Sequence, residues 1–277
     1  MLPHGCGRVE HASSFRHNIQ TDSMSTGGGD RGLMLTYATE YCVIFVLLLV
    51  TAYLVPAGLF HYLFFMRRSP ATEAMRIQKR RPSPQDIRRE IRQSVSALLL
   101  FSVYCLIVYH AARNGSTALY LDFTEHPWWW AAAGFASMVV LHDIYFYTTH
   151  RLMHLPPVFK AVHAGHHRSI TPTPWSILSF QPLETISQFG FFAAVIFFVP
   201  LHPGTLLAYL LFDGIVNAAG HCGHEFVAQA SQKHWLLKYL NAVTHHDLHH
   251  TRLRYNFGQY FNIWDRLFGT FLDRPVE

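Results

Sequence analysis

Residues 142–154 read HDIYFYTTHRLMH, and three further groups of histidines follow this stretch. They are HAGHH at 163–167, HCGH at 221–224 and HHDLHH at 245–250. Fourteen of the chain's 20 histidines lie after residue 141. Imidazole is the commonest side-chain ligand of metal ions, and spacings of three or four residues place side chains on one face of a helix. The four groups therefore predict a metal site in a helical part of the chain.

Helical geometry selects among neighbouring histidines, because successive residues are rotated by about 100°. In the last group, His246, His249 and His250 share a face, whereas His245 points about 100° away from His246 and can at most orient a ligand. The second group repeats the triplet spacing. The predicted metal ligands are His150, His154, His163, His166, His167, His221, His224, His246, His249 and His250.

Two polar residues share helical stripes with these ligands. Asp143 lies on the same stripe as His150 and His154, whereas His142 lies off it. Asn217 belongs to a polar stripe on the otherwise apolar stretch LLAYLLFDGIVNAAGH. Polar groups at membrane depth are costly and normally face a functional interior. Asp143 and Asn217 are therefore predicted to be catalytic residues with a supporting role.

The number of candidate ligands exceeds the needs of one ion. A catalytic zinc takes three protein ligands and a water, so ten histidines can fill the coordination shells of two ions. Imidazole suits zinc, copper, iron and nickel alike, so the spacing does not choose the metal. Cys222 lies beside His221 and could be a ligand, but a small buried thiol is the favoured alternative.

The chain is 50% hydrophobic and 14% charged, against about 25% charged in an ordinary soluble domain. Uncharged runs cover 41–66, 93–112, 126–142 and 185–212. His202-Pro203-Gly204 divides the last run into helices at about 185–201 and 205–220. This pattern predicts an all-α fold: an integral membrane helical bundle of about four or five apolar helices with a cytosolic histidine-rich cap. For 126–142, a short buried helix is the alternative.

The charge distribution predicts the domain organisation and orientation. Residues 1–35 lack periodicity and are predicted to be disordered, and 36–277 form one membrane-embedded domain. Nine of the 22 lysines and arginines lie between 67 and 92, beside two apolar runs, which is the positive-inside pattern. This favours a membrane surface over nucleic acid. It also places every histidine group in the cytoplasm, at a bacterial inner membrane or the endoplasmic reticulum.

Three segments resemble one known family. They are HDIYFYTTHRLMH, HAGHHRSITPTPW and HHDLHHTRLRYNFGQYFNIWDRLFGTF, and they are similar to the histidine boxes and closing segment of the fatty acid hydroxylase superfamily. That family includes sterol C5-desaturases, sterol C4-methyl oxidases and fatty acid 2-hydroxylases. The resemblance covers about residues 100–272. It implies a non-haem di-iron membrane enzyme that uses O2 and two electrons to hydroxylate or desaturate a lipid, with the histidines predicted above as iron ligands.

The resemblance leaves the substrate open. Phe146 stands where the methyl oxidases have a histidine, and Pro-Thr-Pro at 172–174 is nearer the C5-desaturases, whereas HHDLHH is shared with the methyl oxidases. The sequence contains no segment expected to form a cytochrome b5 domain, so we expect the electrons to come from a separate cytochrome b5-like or ferredoxin-like protein. The sequence does not indicate an oligomeric state. Residues that could line a lipid slot are Trp175, Phe180 and Phe189, for which core packing is the favoured alternative. Glu184 and Glu225 could relay protons, but a partner that orients a histidine or a solvated side chain is favoured for each.

Two other classes of protein could use the same histidines. A membrane carrier of zinc or iron would hold them near the midplane, whereas these groups follow the apolar runs. A membrane zinc hydrolase is disfavoured because the sequence has no H-E-x-x-H pair.

Overall fold

The fold is helical throughout the two ranges that the computed structural model describes, residues 26–227 and 233–273. Within these ranges the sole β pairings are two isolated bridges. The α-helices are α1 (Thr26–Leu48), α2 (Val55–His61), α3 (Pro70–Ala74), α4 (Pro84–Arg113), α5 (Trp128–Met153), α6 (Pro156–Val162), α7 (Pro182–Val195), α8 (Pro203–Gly220), α9 (Val243–Arg252) and α10 (Ile263–Leu267). π-Helical turns at Leu49–Leu54 and Tyr62–Met66 flank α2.

The chain divides into two compact units, Met1–Ala38 and Thr39–Glu277. The described part of the first unit belongs to α1, which begins at Thr26, inside the segment predicted to be disordered. The rest of that predicted tail lies outside the described residues. The second unit contains all four histidine groups and the other helices.

Two helical stretches within the described residues are long and apolar enough to cross a membrane, Arg31–Met66 and Pro84–Arg113. They contain the predicted runs 41–66 and 93–112. The run 126–142 lies on α5, which continues to Met153. The run 185–212 is divided as predicted, since His202 caps the N-terminus of α8, although α7 already ends at Val195. The predicted number of four or five membrane helices stays a prediction.

The hydrophobic core fixes the helix ends that carry the histidines. α7 packs against α4, and α8 packs against α2 and α5. Phe101 of α4 stacks on Phe189 of α7, with ring centroids 3.8 Å apart. Met138 of α5 and Tyr209 of α8 are fully buried in another part of the hydrophobic core. Burying each large apolar side chain stabilises the fold by roughly 1.5–3 kcal/mol, so the C-terminal ends of α5 and α8 are held side by side.

The helix α9 contains the whole HHDLHH group. At its start, the Glu225 carboxylate accepts hydrogen bonds from the backbone N and the hydroxyl of Thr244, at 2.9 and 2.7 Å. At its end, Leu253 adopts the left-handed conformation with φ 61° and donates its N–H to the carbonyl of His249. The helical geometry assumed for residues 245–250 is confirmed.

The segment after α9, residues 253–273, is called the closing segment, and it is attached to α5 through Asp143. One carboxylate oxygen accepts the backbone N–H groups of Tyr260 and Phe261, at 2.8 and 3.3 Å. The other accepts the indole N–H of Trp264 at 2.8 Å. Asp143 is 1% exposed, so these donors replace water around its carboxylate.

Asp143→Asn should destabilise the protein by about 1–3 kcal/mol, because the amide turns one acceptor into a donor that faces Trp264. Thermal unfolding in detergent measures this loss. Asp122→Asn is the control, since Asp122 is exposed and bonds only its own turn in the described structure. Equal melting temperatures for the two variants would contradict this role of Asp143.

Candidate metal centre

Five histidines form the first cluster, and their ligand nitrogens all lie within 4.8 Å of one another. They come from three places in the fold: the C-terminal end of α5, the loop after α6, and α9. The members are His150, His154, His163, His167 and His249. The cluster is buried, with His154 partly exposed.

Close contacts between Nε2 atoms characterise this cluster. The Nε2 atoms of His150 and His163 lie 3.0 Å apart, and Nε2 of His167 lies 3.1 Å from those of His163 and His249. The other ring nitrogen of three of these residues has an acceptor. His150 Nδ1 donates to the Phe257 carbonyl, His249 Nδ1 to the Tyr255 carbonyl, and His163 Nδ1 to the Glu184 carboxylate. The ring protons of these three residues therefore sit on Nδ1, and the unprotonated Nε2 atoms of His150 and His163 face each other.

A second cluster joins His166, His221, His246 and His250. The Nε2 atoms of His221 and His246 lie 3.0 Å apart, and those of His246 and His250 lie 3.1 Å apart. His221 donates Nδ1–H to the Asn217 carbonyl at 2.8 Å, which again leaves Nε2 unprotonated. The two clusters adjoin, since the ring centroids of His167 and His250 are 4.8 Å apart.

Each of the two clusters could hold a metal ion. Nitrogens bound at about 2.1 Å and at right angles lie about 3.0 Å apart, which is the observed spacing. Burial lowers the pKa of His163, His167, His249 and His250 well below the ordinary 6.5, so these rings are neutral ligands at pH 7. Facing lone pairs repel one another unless a cation lies between them. Imidazole donors suit iron, zinc and copper, so the donors alone do not choose among these metals.

Hydrogen-bond acceptors at the Nδ1 atoms hold the histidine rings in place. The Glu184 carboxylate lies 2.6 Å from His163 Nδ1, which confirms the expectation that it orients a histidine. Asp265 was missed in the sequence. It accepts the backbone N–H groups of Phe257 and Gly258, at 2.9 and 2.8 Å, and so holds the carbonyl that fixes His150. Its position in the closing Trp-Asp-Arg motif is the signal that could have revealed it.

Gly258 is required at this point of the loop. A Cβ atom there would collide with the Phe261 carbonyl and would lie 3.0 Å from the Asp265 carboxylate. The close approach of backbone to carboxylate is what places the Phe257 carbonyl opposite His150.

Nine of the ten predicted ligands are brought together, and His224 lies outside both clusters. α8 ends at Gly220, and Gly223 has φ 67°, so the helical stripe drawn from Asn217 does not extend to His224. The ring of His224 instead stacks on Phe64, and its Nδ1 donates to the Cys222 carbonyl. Cys222 is buried and joins neither cluster.

The structure places His245 as the helical geometry predicts. It lies outside both clusters, and its Nδ1 accepts the Ala242 N–H at the start of α9. Its Nε2 lies 3.3 Å from the Asp273 carboxylate. His142, another histidine off the stripe, lies 2.7 Å from the Tyr209 hydroxyl in the buried core.

The two predicted catalytic residues have different surroundings. Asp143 belongs to neither cluster, and its described contacts are those to the closing segment. Asn217 lines two small cavities of about 20 and 30 Å³ beside the clusters, and its backbone carbonyl orients His221. Phe180 lines both cavities and Phe189 lines one, whereas Trp175 packs on Tyr53 instead.

Comparisons with known proteins show which proteins this chain resembles. The family model described as fatty acid hydroxylase matches residues 135–270. A Delta(7)-sterol 5(6)-desaturase of Gibberella zeae is 29% identical over 79% of this chain. A second, of Aspergillus fumigatus, and the lathosterol oxidase of Homo sapiens are each 30% identical, over 68% and 67% of this chain. The chain spans 64%, 63% and 61% of the lengths of these relatives, respectively. No solved structure matches it.

Adjacent histidines on α9 should behave differently when substituted. His249→Ala should lose metal from the first cluster and His246→Ala from the second, because each removes a nitrogen with unprotonated neighbours about 3 Å away. His245→Ala should keep its metal and lose only stability. Elemental analysis of the purified variants measures this, with His224→Ala as a second control outside the clusters. Loss of metal in His245→Ala with retention in His246→Ala would contradict the assignment.

Proposed function

Because the chain belongs to the fatty acid hydroxylase superfamily, we propose that it is a membrane-bound non-haem di-iron oxygenase that hydroxylates or desaturates a lipid. The observation that carries the proposal is the pair of adjoining all-histidine clusters. Family membership favours iron over the other metals that imidazole binds. The names of the relatives favour sterol oxidation among the reactions of this family.

In this proposal each cluster holds one iron ion, the first with five histidines and the second with four. The bound irons supply the reduction of O2 and the oxidation of an unactivated C–H bond. Hydroxylation converts one C–H to C–O–H and yields one water, while desaturation removes two hydrogens and yields two waters. Both consume one O2, two electrons and two protons.

The protein's own residues keep the centre in a form that can bind metal. Glu184 and the Phe257, Tyr255 and Asn217 carbonyls hold protons on Nδ1, so that Nε2 stays free for the metal. Apolar residues around the cavities exclude water, which protects the oxidised carbon from competing reactions. Those lining both cavities are Phe146, Ile177 and Phe180.

Gln188 of α7 lines both cavities beside the clusters. Its side chain is 5% exposed, and its amide oxygen has no hydrogen-bond partner among the residues that the structure describes. A buried amide without a partner costs about 1–3 kcal/mol, so a ligand that supplies the partner gains affinity. A hydroxyl group both donates and accepts, which suits either orientation of the amide. We infer that the lipid carries a hydroxyl near the oxidised carbon, as a sterol-like substrate does.

The electrons come from a separate protein in this proposal, cytochrome b5-like or ferredoxin-like, that docks on the cytoplasmic face. The basic segment 67–92 supports this orientation, because positive charge beside an apolar helix is retained in the cytoplasm. The histidine groups face the same side, at a bacterial inner membrane or the endoplasmic reticulum.

Protein purified so that it does not take up zinc should contain about two iron ions per chain. It should consume O2 when a reductant and a sterol are supplied. Elemental analysis and product analysis by mass spectrometry test the two parts separately. A double variant, His163→Ala with His246→Ala, removes one ligand from each cluster and should lose both metal and turnover. A ratio near one ion per chain, or zinc with no O2 consumption in iron-reconstituted protein, would falsify the di-iron proposal.

Gln188→Leu should raise KM for a hydroxylated sterol about tenfold while metal content stays unchanged, because the hydroxyl loses its partner but the clusters do not. For the analogue without the hydroxyl, the same substitution should have little effect or lower KM. Gln85→Leu is the control, because Gln85 is exposed and lies outside both cavities. An equal rise in KM for both lipids would indicate altered packing and would contradict the hydroxyl contact.

Residues at the two ends of α4 should react from opposite sides of the membrane. In spheroplasts of a bacterial expression host, an impermeant thiol reagent should label Ser116→Cys at once, but Lys79→Cys only after the membrane is opened. Both positions are exposed, and the unsubstituted chain gives the background. Labelling of Lys79→Cys in sealed spheroplasts would overturn the proposed orientation.

A further inference from the structure

An arginine-lined cleft lies apart from the cavities beside the histidine clusters. Its volume is about 190 Å³, and it opens at the end of the helical stretch Arg31–Met66. Four arginines line it: Arg68, Arg76, Arg80 and Arg81. The proposed oxidation of a lipid uses none of these residues.

The cleft carries excess positive charge. Arg76 and Arg81 both pair with a single carboxylate, that of Glu73, at 3.2 and 2.9 Å. Arg80 forms no ion pair within residues 26–227 and 233–273. Asp247 is the one acidic lining residue, so four guanidinium groups face two carboxylates in all. An anion would complete this arrangement, and guanidinium groups bind phosphate oxygens in pairs.

The floor of the cleft is held in place without any ligand. Gln78 donates from Nε2 to the Asp247 carboxylate at 2.6 Å and to the Ile170 carbonyl at 2.9 Å. The Thr171 hydroxyl donates to Gln78 Oε1 at 3.0 Å. Ile77 donates its backbone N–H to Gly223. These bonds tie the basic segment to α9 and to the loop after α8, so the arginines surround a fixed floor rather than a free loop.

One wall of the cleft is apolar and has an unpaired polar atom. Phe64 and Phe65 line it together with His61, whose buried Nδ1 has no hydrogen-bond partner in the described structure. Phe64 also lines a neighbouring groove of about 490 Å³, whose other walls include Leu63 and Phe226. An anionic site and an apolar groove thus share a wall, which is the shape of a site for an anionic head group with an acyl chain.

We propose that the arginine cleft binds the phosphoryl group of an anionic phospholipid, with one acyl chain in the neighbouring apolar groove. The position supports a lipid rather than free phosphate, because the cleft lies at the end of a helix long and apolar enough to cross a membrane. Basic pockets at the cytoplasmic ends of membrane helices are a known form of lipid recognition. This site is separate from the one where the oxidised lipid binds.

Binding is tested with purified full-length protein in a neutral detergent, by native mass spectrometry with phosphatidic acid, phosphatidylcholine or inorganic phosphate added. Arg68→Gln with Arg80→Gln removes two cleft charges. Arg88→Gln with Arg92→Gln removes two exposed charges from the same segment outside the cleft. We expect phosphatidic acid to bind the unsubstituted protein. The cleft variant should bind it at least tenfold more weakly, whereas the control should stay within twofold and both should retain their metal.

Four results would overturn the proposal. Equal weakening in the two double variants would indicate general charge attraction. Equal binding of phosphatidylcholine would remove the role of the anionic group. Inorganic phosphate that binds the cleft as tightly as phosphatidic acid would make it a site for free phosphate. If lipid binding is unchanged and reduction by an acidic donor protein is impaired only in the cleft variant, the cleft is a protein docking surface and the lipid proposal is wrong.

Discussion

The arrangement of the centre depends on one electrostatic constraint: unprotonated imidazole nitrogens are forced to within about 3 Å of one another in a buried site. The contact between His150 and His163 is the clearest case, because both rings have their protons committed to Nδ1 acceptors. Such facing lone pairs are favourable only around a cation. A cation bound in either cluster would therefore stabilise the folded chain, so that metal binding and folding would be coupled.

Several contacts outside the clusters hold in place the carbonyl that accepts the Nδ1 proton of His150. Asp143 on α5 secures the closing segment, and Asp265 within that segment bonds the backbone of Phe257. The Phe257 carbonyl in turn bonds His150, which lies on α5 again. These hydrogen bonds therefore link two positions of α5, Asp143 and His150, through the closing segment. Asp265 thus orients His150, a candidate metal ligand, through the backbone of Phe257.

The sequence predicted the parts of the site that lie within single helices. His246, His249 and His250 share a face of α9 while His245 does not, and one rotation angle is enough to separate them. The same reasoning is wrong for His224, because α8 ends before it and Gly223 reverses the chain. The sequence could not predict which histidines belong to which cluster. His166 and His167 are neighbours in sequence, yet they belong to different clusters, and only tertiary packing decides this.

The buried amide of Gln188 shows a different limit of sequence reasoning. In the sequence it is one of four polar residues in the first half of α7, and such residues usually find a partner within the protein. Its amide oxygen has none among the described residues, although both cavities beside the clusters are lined by it. In the proposed complex, a lipid hydroxyl would pair with this oxygen and remove the cost of leaving it unpaired. An unfunctionalised acyl chain would leave the oxygen unpaired, so the proposed site would disfavour such a lipid.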